Sequence, residues 1–584
     1  MRKKLMSVAL ATVLGASCMS FAACGGGKAE NELWITYFKG GYGSEWVDEL
    51  AKKFEAENEG IVVKADPDTQ LINSVGNMME NGTKYDLIFC HDIPWEDYVA
   101  PGWIHNLDDL YATEVSTGVT FANRIRDNDV LASSRYPDRN GEYHYYKVPW
   151  TIGTAGIAYN LSVMDKIDEW LAGDKGQTYL ATEQGGGDIA RRWGRKAPVT
   201  YYDLWQYCLD VSTANLDVNP RVPKDGKIVP FTWSGLSEEW QWDYVLFDWW
   251  GQLAGPETMN SFKNFGNVKD DFTLDIAQQK NPNPEVYNPD KFAVVKNADG
   301  TVNKQESSYV GWGEFKQAYQ LWYDLVVNNK SWSNDKVASL SKFDNEQAFA
   351  SGKAAMTPAA CWIEYESKIY LDRYKQEISI MPTPTISEVK LDSDGKVLPK
   401  NSASAAVTLD AIRADEGATE RVLEVDGKKY NRVSFTSSFG DSVMIPEKAT
   451  NKELAEKFIL FMQREENAQL FTKLSGGTVL PYKYNYADSF KDASGVDHAS
   501  AWQKAIFEIN ANSTKFNNYT QHPMMRQTGL KGTAKMTTIW PENNYYYYKA
   551  WGNNSDAQYS PDALFSTMNG DVNKRWQMYK NQYV

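Results

Sequence analysis

Residues 33–63 set down a strand, a glycine-rich turn, a helix and a second strand, and that order restricts the possible folds severely. Leu33-Trp34-Ile35-Thr36-Tyr37-Phe38 is rich in β-branched and aromatic residues, which suit a strand. Lys39-Gly40-Gly41-Tyr42-Gly43 reads as a turn, and Ser44 as the N-cap of a helix. Val47, Leu50 and Phe54 stripe one face of that helix, Gly60 ends it, and Ile61-Val62-Val63 starts the next strand. A β-turn-α-β unit is the mark of a parallel sheet, so an α/β fold is expected. The turn is a poor match to GxGxxG, and GxxxxGK[ST] is absent, so the usual nucleotide fingerprints do not support that ligand class.

Tyr85 to Cys90 is a second buried strand, ending at His91-Asp92. Ligands of open α/β sheets bind outside the carboxyl ends of strands, which makes Asp92 a candidate hydrogen-bond acceptor. It also suits an N-cap for a helix from Trp95. Residues 143–160, with Pro149 and two glycines, read as a strand crossing from one lobe to another. Thr200 is placed to cap a helix, and residues 231–250 form a tryptophan-rich helical segment in which Trp242, Val245 and Trp249 face the core. Trp233, ahead of that helix, is a better ligand candidate.

The stretch Phe343–Trp362 carries the densest functional signal. Phe343, Ala348 and Phe349 share one face of a short helix, and Gly352 ends it. Lys353 to Thr357 is a buried strand stopped by Pro358, and Trp362 follows. An indole handed to a loop at a strand end offers a large apolar π-surface for the C–H face of a pyranose ring. The same position also suits a core or interface tryptophan. Ile378 to Met381 and Ser442 to Ile445 are later strands. Residues 385–435 read as a surface insertion, and Thr450 with Glu453 as a capping box for a helix striped by Leu454, Phe458, Phe461 and Met462.

At 584 residues the chain exceeds one ordinary core, so two or more domains are expected. A net charge of −15 argues against nucleic acid as a partner. Aromatics at 13%, with 21 Trp and 34 Tyr, fit a surface that reads sugars. Arg2, Lys3 and Lys4 precede an apolar, small-residue run to Ala23, a secretory signal. Cys24 follows Phe21-Ala22-Ala23 like the cysteine of a bacterial lipobox, so it is the expected lipid attachment site, with Gly25-Gly26-Gly27 as its tether. No later apolar run is long enough for a transmembrane helix. Cys90, Cys208 and Cys361 are widely spaced and suit small buried hydrophobes rather than disulfides or zinc ligands. HExxH and GxSxG are absent, and Asp392-Ser393-Asp394-Gly395 lacks the later acids of a calcium loop, so no metal or cofactor is expected.

Taken in order, the segments LWITYFKGGYGSEWVDELAKKFEAENEGIVV, YDLIFCHDIPWEDYVAPGWIHNLDDLY, KVPWTIGTAGIAYN, FTWSG, NEQAFASGKAAMTPAACW, ISIMPTP and DSVMIPEKATNKELAEKFILFM resemble the bacterial extracellular solute-binding proteins of ABC sugar importers. The resemblance implies a two-lobed periplasmic-binding-protein-like α/β fold, with a hinge and a cleft between the lobes. Its expected parts are residues 31–148 with 385–485 and residues 149–384 with 486–584. It implies no enzyme activity. It implies an oligosaccharide ligand, ABC transporter permease subunits as partners, and attachment to the outer face of the cell membrane. Lys39 and Asp92 match family residues that hydrogen-bond sugar hydroxyls, and Trp362 matches one that stacks on a sugar ring. Trp95, Trp150 and Trp233 join them on position and residue type. Phe38, Gly153 and Pro230 replace an acid, a glutamate and a tyrosine of the family's maltose binder, so maltose is not the implied ligand. A secreted glycoside-active enzyme, and a binder of peptide, polyamine or metal on the same fold, are the alternative readings.

Overall fold

The computed structural model describes residues 28–254, 318–386, 441–517 and 546–552, with short strands between 389 and 436 and isolated residues near 560; residues 92, 127, 152, 220, 222–225 and 238 are exceptions within these ranges. The signal segment, Cys24, Asp92 and residues 392–395 lie outside the described residues.

Two sheets organise the chain. Along the sequence their strands are β1 (Glu32–Phe38), β2 (Val62–Asp68), β3 (Leu87–Cys90), β4 (Val148–Pro149), β5 (Ala155–Asn160), β6 (Val229–Phe231), β7 (Ala354–Ala360), β8 (Ile378–Met381) and β9 (Ser442–Met444). The first sheet has the order β2-β1-β3-β9-β4, and the second β6-β7-β5-β8. β1 runs parallel to both β2 and β3, as the β-turn-α-β pattern requires. β9 lies between β3 and β4, antiparallel to both. In the second sheet β6 and β7 are parallel, and β5 runs antiparallel to β7 and β8. β4 and β5 belong to different sheets although only residues 150–154 separate them, so this segment crosses between the lobes.

Each sheet buries its own core. Leu33, Ile35 and Tyr37 of β1 meet Trp46, Val47, Leu50 and Phe54 of α1 (Glu45–Glu57). Four principal helices follow. They are α2 (Tyr201–Ala214), α3 (Asp243–Ala254), α4 (Lys342–Ala350) and α5 (Lys452–Met462). Phe54 sits edge-on to Phe458 and Phe461 of α5, at 5.1 and 5.2 Å between ring centroids. Trp242, Val245 and Trp249 are fully buried in the second core, as their helical spacing predicts. Cys90, Cys208 and Cys361 are free and buried. Among the described residues no helix is long and apolar enough to cross a membrane.

Several local expectations fail for identifiable reasons. Thr200 does cap α2, and the structure adds a reciprocal hydrogen bond from the Thr200 amide to the Asp203 carboxylate; the others differ. The Thr450–Glu453 box does not form. Instead α5 starts at Lys452 behind Asn451, whose side chain donates to the Glu32 carbonyl at 2.6 Å. That tertiary hydrogen bond replaces a local cap. Pro358 does not end β7, which runs on to Ala360. β6 pairs with β7 only as far as Met356, so beyond it the missing proline N–H costs no bond to β6. Phe343 is 67% exposed rather than buried with Phe349. The strand Val433–Thr436 pairs in parallel with Thr514–Asn517 and packs beside α3 and β5, so it lies with the second sheet, not with the first as drawn from the sequence. Ser442 marks the return to the first sheet.

Candidate functional site

The carboxyl end of β1 feeds the loop Lys39–Gly43, and the carboxyl end of β7 feeds Trp362, and these two ends meet. A Cβ built on Gly41 would lie 2.3 Å from Trp362 Cβ, and one built on Gly43 would lie 2.0 Å from the Tyr365 hydroxyl. Real Cβ atoms do not approach so closely. Glycine at both positions therefore lets a backbone of the first sheet lie directly on side chains of the second. Gly43 also has φ of +67°, a region that favours glycine. Gly476, φ +73°, reaches the same Tyr365 from the far end of the first lobe.

Behind this junction a polar cluster ties the loop to the crossover. The Tyr42 hydroxyl donates to Asp441 Oδ2 at 2.9 Å and lies 3.2 Å from Thr151 Oγ1. Thr151 donates to the same carboxylate oxygen. Tyr42 packs edge-on against Trp150 at 5.3 Å. Burial pushes the Tyr42 phenol well above its ordinary value, and the Asp441 charge adds to that. Burial also raises the nearby Cys361 thiol to about 11, so it is a thiol and not a nucleophile at neutral pH. Farther along the crossover, Asn510 Nδ2 donates to Thr154 Oγ1 at 2.7 Å.

The rim is acidic and hydrogen-bonding. Glu366 pairs with Lys342 at 3.0 Å. Glu364 accepts from Ser500 Oγ at 2.7 Å and from Gln503 Nε2 at 3.1 Å. Burial raises its pKa, and these two donors oppose the shift. Beside Tyr365 a cavity of about 680 Å³ opens between the lobes, bounded by Glu45, Glu364, Lys473, Gly476 and Gln503. A second cavity, about 1100 Å³, lies within the second lobe among Lys227, Lys330, Asn334, Lys353 and Trp551, and shares no lining residue with the first.

The sequence candidates fall into three groups. Lys39 is exposed immediately after β1, and Trp362 is half-buried at the junction, with Tyr244 edge-on at 6.4 Å. Asp92 lies outside the described residues. Its neighbour His91 packs on Phe38 with the rings tilted by 55° and their centroids 4.0 Å apart, and His91 Nδ1 is buried with no partner among the described residues. Trp95, Trp150 and Trp233 are corrections, since each is a core tryptophan at 1%, 1% and 0% exposure. Trp150 is surrounded by Trp46, Phe89 and Phe471. Trp233 packs on Trp242 and Trp551 while its indole donates to Ser333 at 3.2 Å. Trp95 lies in the apolar group of Ile88, Tyr98, Val99 and Met444. Rings so enclosed have no free face for a sugar. Sequence reasoning passed over Gly41, Tyr42, Thr151, Tyr365 and Asp441. The repeated glycines of residues 40–43 were the one available signal, and they read equally well as an ordinary turn.

A family model described as bacterial extracellular solute-binding protein matches residues 40–469. Among solved structures, the GacH receptor of Streptomyces glaucescens, described unliganded and with acarbose, is 13% identical over 94% of this chain and 99% of that one, with a TM-score of 0.51. A probable secreted solute-binding lipoprotein of Streptomyces coelicolor is 12% identical over 93% and 99%, at 0.49. RafE of Streptococcus pneumoniae is 15% identical over 93% and 99%, at 0.47. No curated protein matches by sequence. At such identities the GacH likeness speaks for the two-lobed fold alone.

Proposed function

Because the chain belongs to the family of bacterial extracellular solute-binding proteins of ABC transport, we propose that it captures a neutral oligosaccharide in the cleft at Trp362. The family is one of binding proteins, not enzymes. On this reading the sugar stacks on Trp362 from the second lobe, while Lys39 and Asp92 hold its hydroxyls from the first. The lobes comprise residues 31–149 with 441–485, and residues 155–254 and 318–386 with 486–517, joined by the crossover 150–154, whose Trp150 packs in the first core. The ligand touches both lobes only when they close, so it shifts an existing open–closed equilibrium and leaves unchanged.

The supporting observation is the direct contact of the glycine loop with Trp362 and Tyr365. It puts Lys39 two residues from the indole's neighbour. A thermal-shift panel of neutral oligosaccharides, peptides, polyamines and divalent ions checks the ligand class, since a ligand of the native state raises the melting temperature. An oligosaccharide is expected to give the largest rise; a larger rise with a peptide or polyamine would reject the sugar reading. For the sugar so found, Trp362→Ala is expected to weaken binding by at least fivefold, or about 1 kcal/mol, taking base stacking as the analogue. Unchanged affinity by calorimetry would remove Trp362 from the site.

The receptor is proposed to be held on the outer face of the cell membrane by an acylated Cys24, delivering its sugar to permease subunits. Cys24→Ser is expected to move the protein from the membrane fraction to the medium. Retention in the membrane fraction would reject the anchor.

A further inference from the structure

A tight hairpin in the first lobe carries a donor set unrelated to the cleft. Its strands are Arg135–Pro137 and Tyr143–Tyr145, paired antiparallel. Asp138 and Glu142 flank the turn, and His144 lies two residues on. One ligand atom from each of the three falls within 4.8 Å of the others. His144 Nε2 is 3.9 Å from Asp138 Oδ2 and 3.9 Å from Glu142 Oε2.

A fourth residue sets the ring. His144 Nδ1 lies 2.6 Å from Asp108 Oδ2, in the helix Asp108–Ala112. Asp108 is itself fixed, because its Oδ1 accepts the Tyr145 amide at 2.8 Å. With Nδ1 turned to Asp108, Nε2 faces the other two carboxylates. One ring nitrogen and two carboxylates thus converge, an arrangement that a cation completes, and the Asn140 amide, which donates to Asp138 Oδ2 at 3.1 Å, holds that carboxylate in place. A carboxylate behind a histidine is also the usual outer-shell support of a metal-binding imidazole.

We propose that Asp138, Glu142 and His144 bind a divalent transition ion of the zinc class, with Asp108 as the positioning residue. Imidazole nitrogen favours zinc, copper or nickel, whereas calcium and magnesium take all-oxygen sets. Zinc ligands sit about 2.0–2.2 Å from the ion, and therefore about 3.3–3.6 Å from one another in a tetrahedral site. The two 3.9 Å pairs need to close by only a fraction of an ångström on each side. The hairpin can yield that much, since the Glu142 side chain is 75% exposed. Three protein ligands leave a position for water.

The full chain, stripped with chelator, is titrated calorimetrically with zinc chloride, alongside His144→Gln, Asp108→Asn and Glu142→Gln variants. The parent is expected to take up one zinc that His144→Gln does not. Asp108→Asn is expected to weaken that zinc about tenfold or more while leaving the circular-dichroism melt of the metal-free protein in place. Calcium and magnesium are expected to give no heat that depends on His144. Equal zinc uptake by the parent and His144→Gln, or none by the parent, would overturn the assignment. If His144→Gln does not fold, Glu142→Gln decides: its surface position leaves folding intact, and undiminished zinc affinity there would overturn the assignment as well.

Discussion

A Gly41→Val protein is expected to bind its ligand some 5- to 150-fold more weakly while unfolding at the parent's temperature. The valine Cβ would start 2.3 Å from Trp362 Cβ and 3.2 Å from Glu366 Oε1, distances that only a shift of backbone or indole can relieve. Overpacking of this kind costs about 1–3 kcal/mol. That cost falls on the closed arrangement, because these atoms belong to loops of different lobes. Apparent affinity falls with the population of the closed state, so the same 1–3 kcal/mol is read as the fold-change above. Gly60→Ala serves as the control. Gly60 also has positive φ, +84°, but no atom lies within 4 Å of its added Cβ. It should affect stability slightly and binding not at all. Wild-type affinity in Gly41→Val, measured by calorimetry, would show that the loop and Trp362 do not meet in the bound state.

Trp46→Ala should act on folding instead, with a loss of about 3–5 kcal/mol in the transition of the first lobe. Trp46 is fully buried. Its ring lies 5.7 Å from Tyr37, 5.3 Å from Phe89, 5.3 Å from Trp150 and 5.2 Å from Phe471, so β1, β3, the crossover and the helix Glu465–Leu474 all pack on it. Removing the indole leaves a cavity that these four separate elements cannot jointly collapse to fill. Urea unfolding of parent and variant gives the difference. A loss below 1 kcal/mol would mean that the aromatic cluster does not hold the lobe together. The two variants are complementary, because Gly41 and Trp46 are five residues apart in one loop-helix segment yet should alter binding and stability separately.

The helix at Glu45–Glu57 was legible because its apolar stripe, Val47, Leu50 and Phe54, repeats at helical spacing over about two turns, a property of neighbours in sequence. The cap at Thr200 was legible because both partners lie within four residues. The proposed cap at Thr450 was not, because Asn451 answers to Glu32 and Asp86 in the first sheet. The tryptophans divide the same way. Residue type marks an indole as able to stack on sugar. Whether its face is open depends on rings brought in from elsewhere, and for Trp95, Trp150 and Trp233 those rings close it.

Local order along the chain determined the α/β class, the parallel pairing around β1 and the family resemblance, since each depends on spacings of a few residues and their succession. Only tertiary structure decided which tryptophans are core, where the lobes exchange segments, and that Gly41, Thr151, Trp362 and Asp441 belong to one place. The physical reason is that these four share no local hydrogen bond or helical face. They converge because two separately packed sheets are joined through the short crossover 150–154 and the return to β9, and close approach there depends on side chains that are absent at Gly41 and Gly43.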